Sequence, residues 1–234
     1  VPVVGDQPVK LVVTVPSTLS LGEGFRLLVK AEDQWGNPAC GYPGTIRFQE
    51  GPVRFPADEF ELGPAEATLW IDGCQAIELG TWTIQVEDRE HRLFGESNPV
   101  VITETPPVHQ LLWADPHGGQ LVLNSKFGEF YRYARDVAGI HFVGFQRNAD
   151  VISAEDWEVQ QKEEVAFHEP GVFIPIPGFE WSGRTWEGGH HNIYFRRHGQ
   201  SVRRNAAVET MFRAERADAE LFHIRDVYDA YRNS

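Results

Sequence analysis

The chain has 234 residues, 41% of them hydrophobic, and a formal charge of −13, which suits one large domain or two small ones with real cores and excludes disorder. The acidity excludes a general nucleic-acid or anionic-membrane binder, since both need a basic surface. No apolar run approaches the ~20 residues of a membrane span, and Val1–Val4 lacks the basic and apolar segments of a signal peptide, so the chain reads as soluble, cytoplasmic or periplasmic.

From Lys10 to Glu104 short runs alternate apolar and polar residues between Gly, Pro and Asp turns. Leu11-Val13-Val15, Phe25-Leu27-Val29, Ile46-Phe48, Ala67-Leu69-Ile71, Trp82-Ile84-Val86 and Val100-Ile102 each show this period of two. Six or seven such strands predict an antiparallel, immunoglobulin-like β-sandwich over residues 1–105. Asp33–Pro38 is a structured turn in which Gly36 supplies a positive φ and Trp35 covers the core. A carbohydrate platform made by Trp35 and Trp82 is the alternative. Cys40 and Cys74 both lie in turn-like sequence, where two free thiols and a disulfide both fit.

Thr105-Pro106-Pro107 ends this region, because consecutive prolines cannot continue a ladder. Over residues 108–234 the pattern changes to alternating strand and helix. Leu111–Asp115 is the first expected strand, Ser125 caps a helix to about Ala138 that Gly139 ends, and His141–Phe145 is the next strand. Ser153-Ala154-Glu155-Asp156 has the form of a capping box for a helix to about His168. Val172–Ile176 and His191–Phe195 follow as strands, and Asn205 caps a last helical region to about Tyr231. That order predicts a mainly parallel sheet with functional groups at the C-terminal strand ends. Four strands read as an unfinished barrel, so either more chain or a partner, a second copy or a companion chain, is expected to complete it.

The groups that this order collects at strand ends are Asp115, His117, Asn148, Asp150, Glu180, His190 and His191. Residues two apart on a strand share a face, so Asp115 and His117 are expected to approach one Zn, Mn or Fe ion together. Only one of the adjacent His190 and His191 should reach a given site. Arg184, Arg196, Arg197, Arg203 and Arg204 form a basic island suited to an anionic small-molecule substrate, with a solvated face as the alternative.

Trp113–Gly118, Tyr131–Gly139, Phe167–Gly171, Pro177–Gly183 and Gly188–Phe195 together resemble a bacterial family of metal-dependent hydrolases of the polymerase-and-histidinol-phosphatase (PHP) type. The resemblance covers most of residues 108–205 and extends to the preceding sandwich. It implies the N-terminal part of a distorted (β/α) barrel whose strand-end ligands hold divalent ions and activate a hydroxide against a phosphoester or amide-type bond. Asp115, His117, Glu180 and His190 match the metal-ligand positions; Glu180 and His190 would also act in catalysis. Arg184, His191 and Asn148 would contact substrate. The sequence departs from the family at Pro116 and Gly119 in the first motif and at Phe145 and Ala149 in the second. A non-catalytic subunit or pseudoenzyme that binds a partner through an unfinished sheet is the alternative expectation.

Overall fold

A computed structural model describes residues 5–39, 41–64, 66–119, 126–204 and 223–232. The chain divides into two compact units, Val1–Leu112 and Trp113–Ser234.

The first unit is all β among its described residues. Its strands are β1 (Lys10–Thr14), β2 (Thr18–Ser20), β3 (Gly24–Glu32), β4 (Gly44–Phe48), β5 (Val53–Arg54), β6 (Phe60–Leu62), β7 (Thr68–Ala76), β8 (Gly80–Trp82), β9 (Gln85–Asp88), β10 (Leu93–Ser97) and β11 (Val100–Thr103). They form an eight-stranded sheet, β5-β7-β3-β1-β10-β9-β4-β6, and a three-stranded sheet, β2-β11-β8. The inward residues of both, including Leu11, Val13, Leu19, Leu27, Val29, Val100 and Ile102, share one core, which makes a β-sandwich.

The strands outnumber the six or seven expected, because runs of two or three residues such as β5 and β8 are too short to show a period. Nor is the sandwich wholly antiparallel. The pairs β1–β10 and β2–β11 are parallel. Both chain segments leave the large sheet and enter the small one side by side, and the ladder breaks at that crossing. Asn98 fills the break: its Oδ1 accepts from Val15 N–H at 3.0 Å, and its Nδ2 donates to Val15 O at 3.0 Å and Ser17 Oγ at 3.3 Å. Backbone groups that would otherwise lack partners are thereby satisfied.

Asp33 organises its turn through its carboxylate, which accepts from the backbone N–H groups of Asp6, Trp35 and Asn37. These bonds and that from the Asn37 amide hold the acid down at about 2 against the cost of desolvation. Gly36 has φ +84°, and Trp35 is 64% exposed, so it does not cover the core as expected. Cys74 is a buried thiol, pushed up to about 11 by burial and by the charge of Asp72; Cys40 lies outside the described residues.

The second unit contains β12 (Ala114–Gly118), α1 (Phe127–Arg132), β13 (Phe142–Phe145), α2 (Ala154–Phe167), β14 (Ile174–Ile176), β15 (Gly178–Trp181), β16 (His191–Tyr194) and α3 (Ile224–Arg232). Strands β12, β13 and β14 make a wholly parallel sheet in that order, the expected β-α-β-α-β pattern. The fourth predicted strand, β16, instead pairs antiparallel with β15, a strand not anticipated from sequence.

Strand β12 begins three residues later than expected. Leu111, Leu112 and Trp113 are about half exposed, and the ladder starts at Ala114. α1 continues into a π turn at Tyr133–Val137, closed by Ala138 N–H to Tyr133 O at 2.8 Å, and Gly139 at φ +66° ends it. Ser153 caps α2 as predicted: its Oγ accepts from Asp156 N–H at 3.0 Å while Asp156 Oδ2 accepts from Ser153 N–H at 3.3 Å. The expected caps Ser125 and Asn205, and Val208, Met211, Phe212, Leu221 and Phe222 of the last helical region, lie outside the described residues.

One apolar cluster, with Phe127, Tyr131, Val143, Phe145 and Phe173, joins α1 to the sheet; a second, with Trp157, Phe179, Trp181, Ile193, Ile224 and Val227, gathers α2, β15, β16 and α3. The stripe that α2 buries is Trp157, Gln160 and Glu164, two of them polar. Gln160 Nε2 donates to Phe145 O at 3.2 Å and to Gly178 O at 3.1 Å, which ties the end of β13 and the start of β15 to the helix.

Candidate functional site

The site lies where the C-terminal ends of β12 and β13 meet β15, the position at which open parallel sheets present functional groups. Beyond β13 the chain stays beside β15: Glu180 N–H donates to Arg147 O at 2.9 Å, and Asn148 and Glu180 form a parallel bridge. Pro177 separates β14 from β15, so one extended run follows β13 along its length and then turns Glu180 inward. Phe179 and Trp181, both fully buried, anchor β15 in the core.

Glu180 is 5% exposed and joins two imidazoles. His117 Nε2 stands 3.2 Å from its Oε2, and His190 Nδ1 stands 2.6 Å from its Oε1. Three predicted site residues, drawn from β12, β15 and the turn before β16, therefore form one His–Glu–His array.

The placement of His117 depends on a bulge. Asp115 pairs with Val143 and Gly118 with Phe145, so β12 spends one residue more than β13 between these pairs. The period-two argument that put Asp115 and His117 on one face fails across that extra residue. Asp115 Oδ1 instead accepts from the His117 backbone N–H at 3.0 Å and braces the bulge. A Cβ on Gly118 would lie 2.7 Å from Asp115 Oδ2, so glycine keeps this turn open.

Asn148 Nδ2 donates to Ser182 Oγ at 2.8 Å. His191 turns away from Glu180; its Nε2 is 2.9 Å from Gly188 O and its Nδ1 3.2 Å from the Tyr228 hydroxyl of α3. Of the adjacent pair only His190 reaches the acid, as strand alternation requires. The basic island is dispersed. Arg184 borders the site, Arg196 and Arg197 line a separate cleft, and Arg204 is buried with its guanidinium on Ala149 O and Ile152 O.

An open cleft of about 890 Å³ adjoins the array and is lined by Asn148, Asp150, Ser182, Arg184, Trp186 and His190 among others. Asp150 is 7% exposed, and its Oδ1 has no hydrogen-bond partner. Burial and the nearby Glu180 charge push its carboxyl up to about 6, opposed by a hydrogen bond with Ser182 and by the charges of His190 and Arg204. Sequence reasoning placed Asp150 at a strand end but assigned it no role, and it gave no sign of Ser182.

Two imidazoles and a carboxylate are the right kind of donors for a zinc, manganese or iron ion. Each imidazole faces a different oxygen of Glu180, and among the described residues no three His, Cys, Asp or Glu side chains form a group able to hold an ion.

No family model matches the chain, and no curated protein matches it. Among solved structures it is similar to the D00-D0 domain of intimin, with a TM-score of 0.32 and 11% identity over 44% of this chain and 50% of that one. It is similar to domains 4 and 5 of the S-layer protein SbsC, with a TM-score of 0.27 and 15% identity over 42% of this chain and 54% of that one. The corresponding values for SbsC domains 1–6 are 0.27 and 20%, over 44% of this chain and 14% of that one. The chain spans about half the length of the first two. Likenesses this slight carry no inference about activity.

Proposed function

We propose that the second unit is a hydrolytic domain acting on a phosphoester or amide-type bond, with the His117–Glu180–His190 array as its centre. The observation that carries this reading is the near-complete burial of Glu180 between two half-exposed imidazoles at 3.2 and 2.6 Å. A carboxylate that fixes an imidazole's tautomer and orientation makes it a general base. In this reading His190, at the rim of the cleft, takes the proton from a water that attacks the phosphorus or carbonyl carbon, and Glu180 stabilises the imidazolium that results. The proton passes to the leaving oxygen or nitrogen as its bond breaks, and Arg184 holds the anionic part of the substrate. The partial barrel that the PHP-type resemblance implies belongs to the same proposal; its ion-activated hydroxide does not.

The divalent ion that the resemblance implies would require Asp115, His117, Glu180 and His190 to close on a common point. Elemental analysis after dialysis against Zn, Mn or Fe is expected to find less than one ion per chain, unchanged in the Asp115→Ala, His117→Ala double variant. A stoichiometric ion that the double variant loses would overturn this expectation and make the four residues a metal site.

A further inference from the structure

We infer that the cleft beside His190 is a saccharide subsite, taking a pyranose ring with an anionic substituent. The ring would lie on Trp186, its hydroxyls would meet Asp150 and Asn148, and its anion would face Arg184. This deepens the hydrolytic reading by naming a substrate class, and rests on it only for the bond that is cleaved.

Three observations meet in this one cleft. First, Trp186 is 74% exposed, yet it sits on a fixed turn rather than a loose loop. The turn Thr185–Glu187 is closed by Arg184 N–H on Glu187 Oε2 at 2.7 Å and by Gly189 N–H on Arg184 O at 3.0 Å, and Glu187 itself is buried. A large apolar ring carried on a fixed turn is a platform whose backbone ordering cost is met before a ligand arrives. Second, the wall of the cleft carries the amide of Asn148, the hydroxyl of Ser182 and the buried Asp150, whose Oδ1 lacks a partner. Asn148 Nδ2 donates to Ser182 Oγ at 2.8 Å, and the Asn148 amide keeps a second donor and its carbonyl acceptor for ligand hydroxyls. Third, the Arg184 guanidinium lies over the Trp186 ring at 5.5 Å, so aromatic surface and positive charge adjoin.

The combination discriminates between ring types. A nucleobase or aryl group buries both faces and favours an apolar slot, whereas this cleft offers one aromatic surface and hydrogen-bonding groups elsewhere. A pyranose has a C–H face suited to one aromatic ring and a rim of hydroxyls that donate to carboxylates.

Saturation-transfer NMR on the whole chain with glucose 6-phosphate, glucuronate and glucose, alongside phosphorus NMR titration with inorganic phosphate, tests the inference. Ring protons of both anionic sugars are expected to receive saturation, with glucose binding about tenfold more weakly. Trp186→Ala, at an exposed position, is expected to weaken both anionic sugars about tenfold, and Arg184→Ala to bring them to the level of glucose. Absence of transfer to every sugar, sugar binding indifferent to Trp186→Ala, or inorganic phosphate binding as tightly as glucose 6-phosphate would each overturn the subsite. Turnover of p-nitrophenyl phosphate separates the two readings. Sugar binding without turnover of that ester or of p-nitroacetanilide defeats only the hydrolytic proposal, and turnover of either without sugar binding defeats only the subsite.

Discussion

Glu180→Gln is expected to lower hydrolysis of p-nitrophenyl phosphate on the order of 10²–10⁴-fold, because the general base His190 loses the carboxylate that fixes its tautomer and balances its charge. The substitution keeps the shape of a side chain that is 5% exposed, so the core formed by Phe179 and Trp181 should survive. What it removes is one of two acceptors. In the parent, Oε1 receives His190 and Oε2 receives His117. In the variant, an NH₂ group faces one of these rings, whose nearer nitrogen must then accept rather than donate. The ring loses its tautomer or its orientation, and the imidazolium formed during reaction loses its counter-charge. Far-ultraviolet circular dichroism and thermal melting, expected to be close to the parent's, separate this loss from unfolding. Full activity in Glu180→Gln would remove Glu180 from the mechanism.

The second large effect concerns Glu164, which lies fully buried on α2. Burial pushes its carboxyl from the ordinary 4.5 up to about 7, against hydrogen bonds from Gln160 and Tyr131. His198 Nε2 lies 3.3 Å from Glu164 Oε2, but its own burial and the neighbouring His168 disfavour its charged form. The folded chain therefore keeps the Glu164 proton through a window in which the unfolded chain releases it. More protons bound in the folded state means that stability falls as pH rises from 4.5 to about 7. The contribution present below that window and lost above it is about 3 kcal/mol. Asp150 adds a loss of the same sign at lower pH, as pH rises from 3.8 to about 6. Glu164→Gln removes the charge at nearly constant volume, so at pH 8 it is expected to be more stable than the parent by about the same 3 kcal/mol. Urea unfolding at pH 5 to 8, followed by tryptophan fluorescence, measures both slope and offset. Parent stability that does not fall between pH 5 and 7 would instead show that Glu164 is ionised in the folded chain.

The parallel sheet was legible because its elements carry local signals: short apolar runs alternating with longer helical stretches, the Ser153–Asp156 box and Gly139 at a helix end. Strand β15 was not, because all four of its residues are buried and give no alternation, while Pro177 and Gly178 read as a turn. The site residues were legible only as a topological set. His117 and His190 lie far apart in sequence and meet at Glu180 through the bulge in β12 and the β15–β16 pairing, neither of which leaves a composition signal. The buried Gln160 and Glu164 were missed for a related reason. A helix that buries a polar stripe shows no apolar period, and the bonds that make such burial tolerable come from Tyr131, Phe145 and Gly178, outside the helix.

The parallel pairing in the first unit bears on how it answers force. Strands near its beginning, β1 and β2, run beside strands near its end, β10 and β11, in the same direction. Tension applied between the two ends pulls these neighbours lengthwise past each other, so their hydrogen bonds strain together rather than opening one at a time. The Asn98 bonds to Val15 and Ser17 lie midway along that seam. Asn98→Ala is expected to lower the peak unfolding force in single-molecule pulling along the chain. An unchanged peak would locate the mechanical barrier elsewhere in the sandwich.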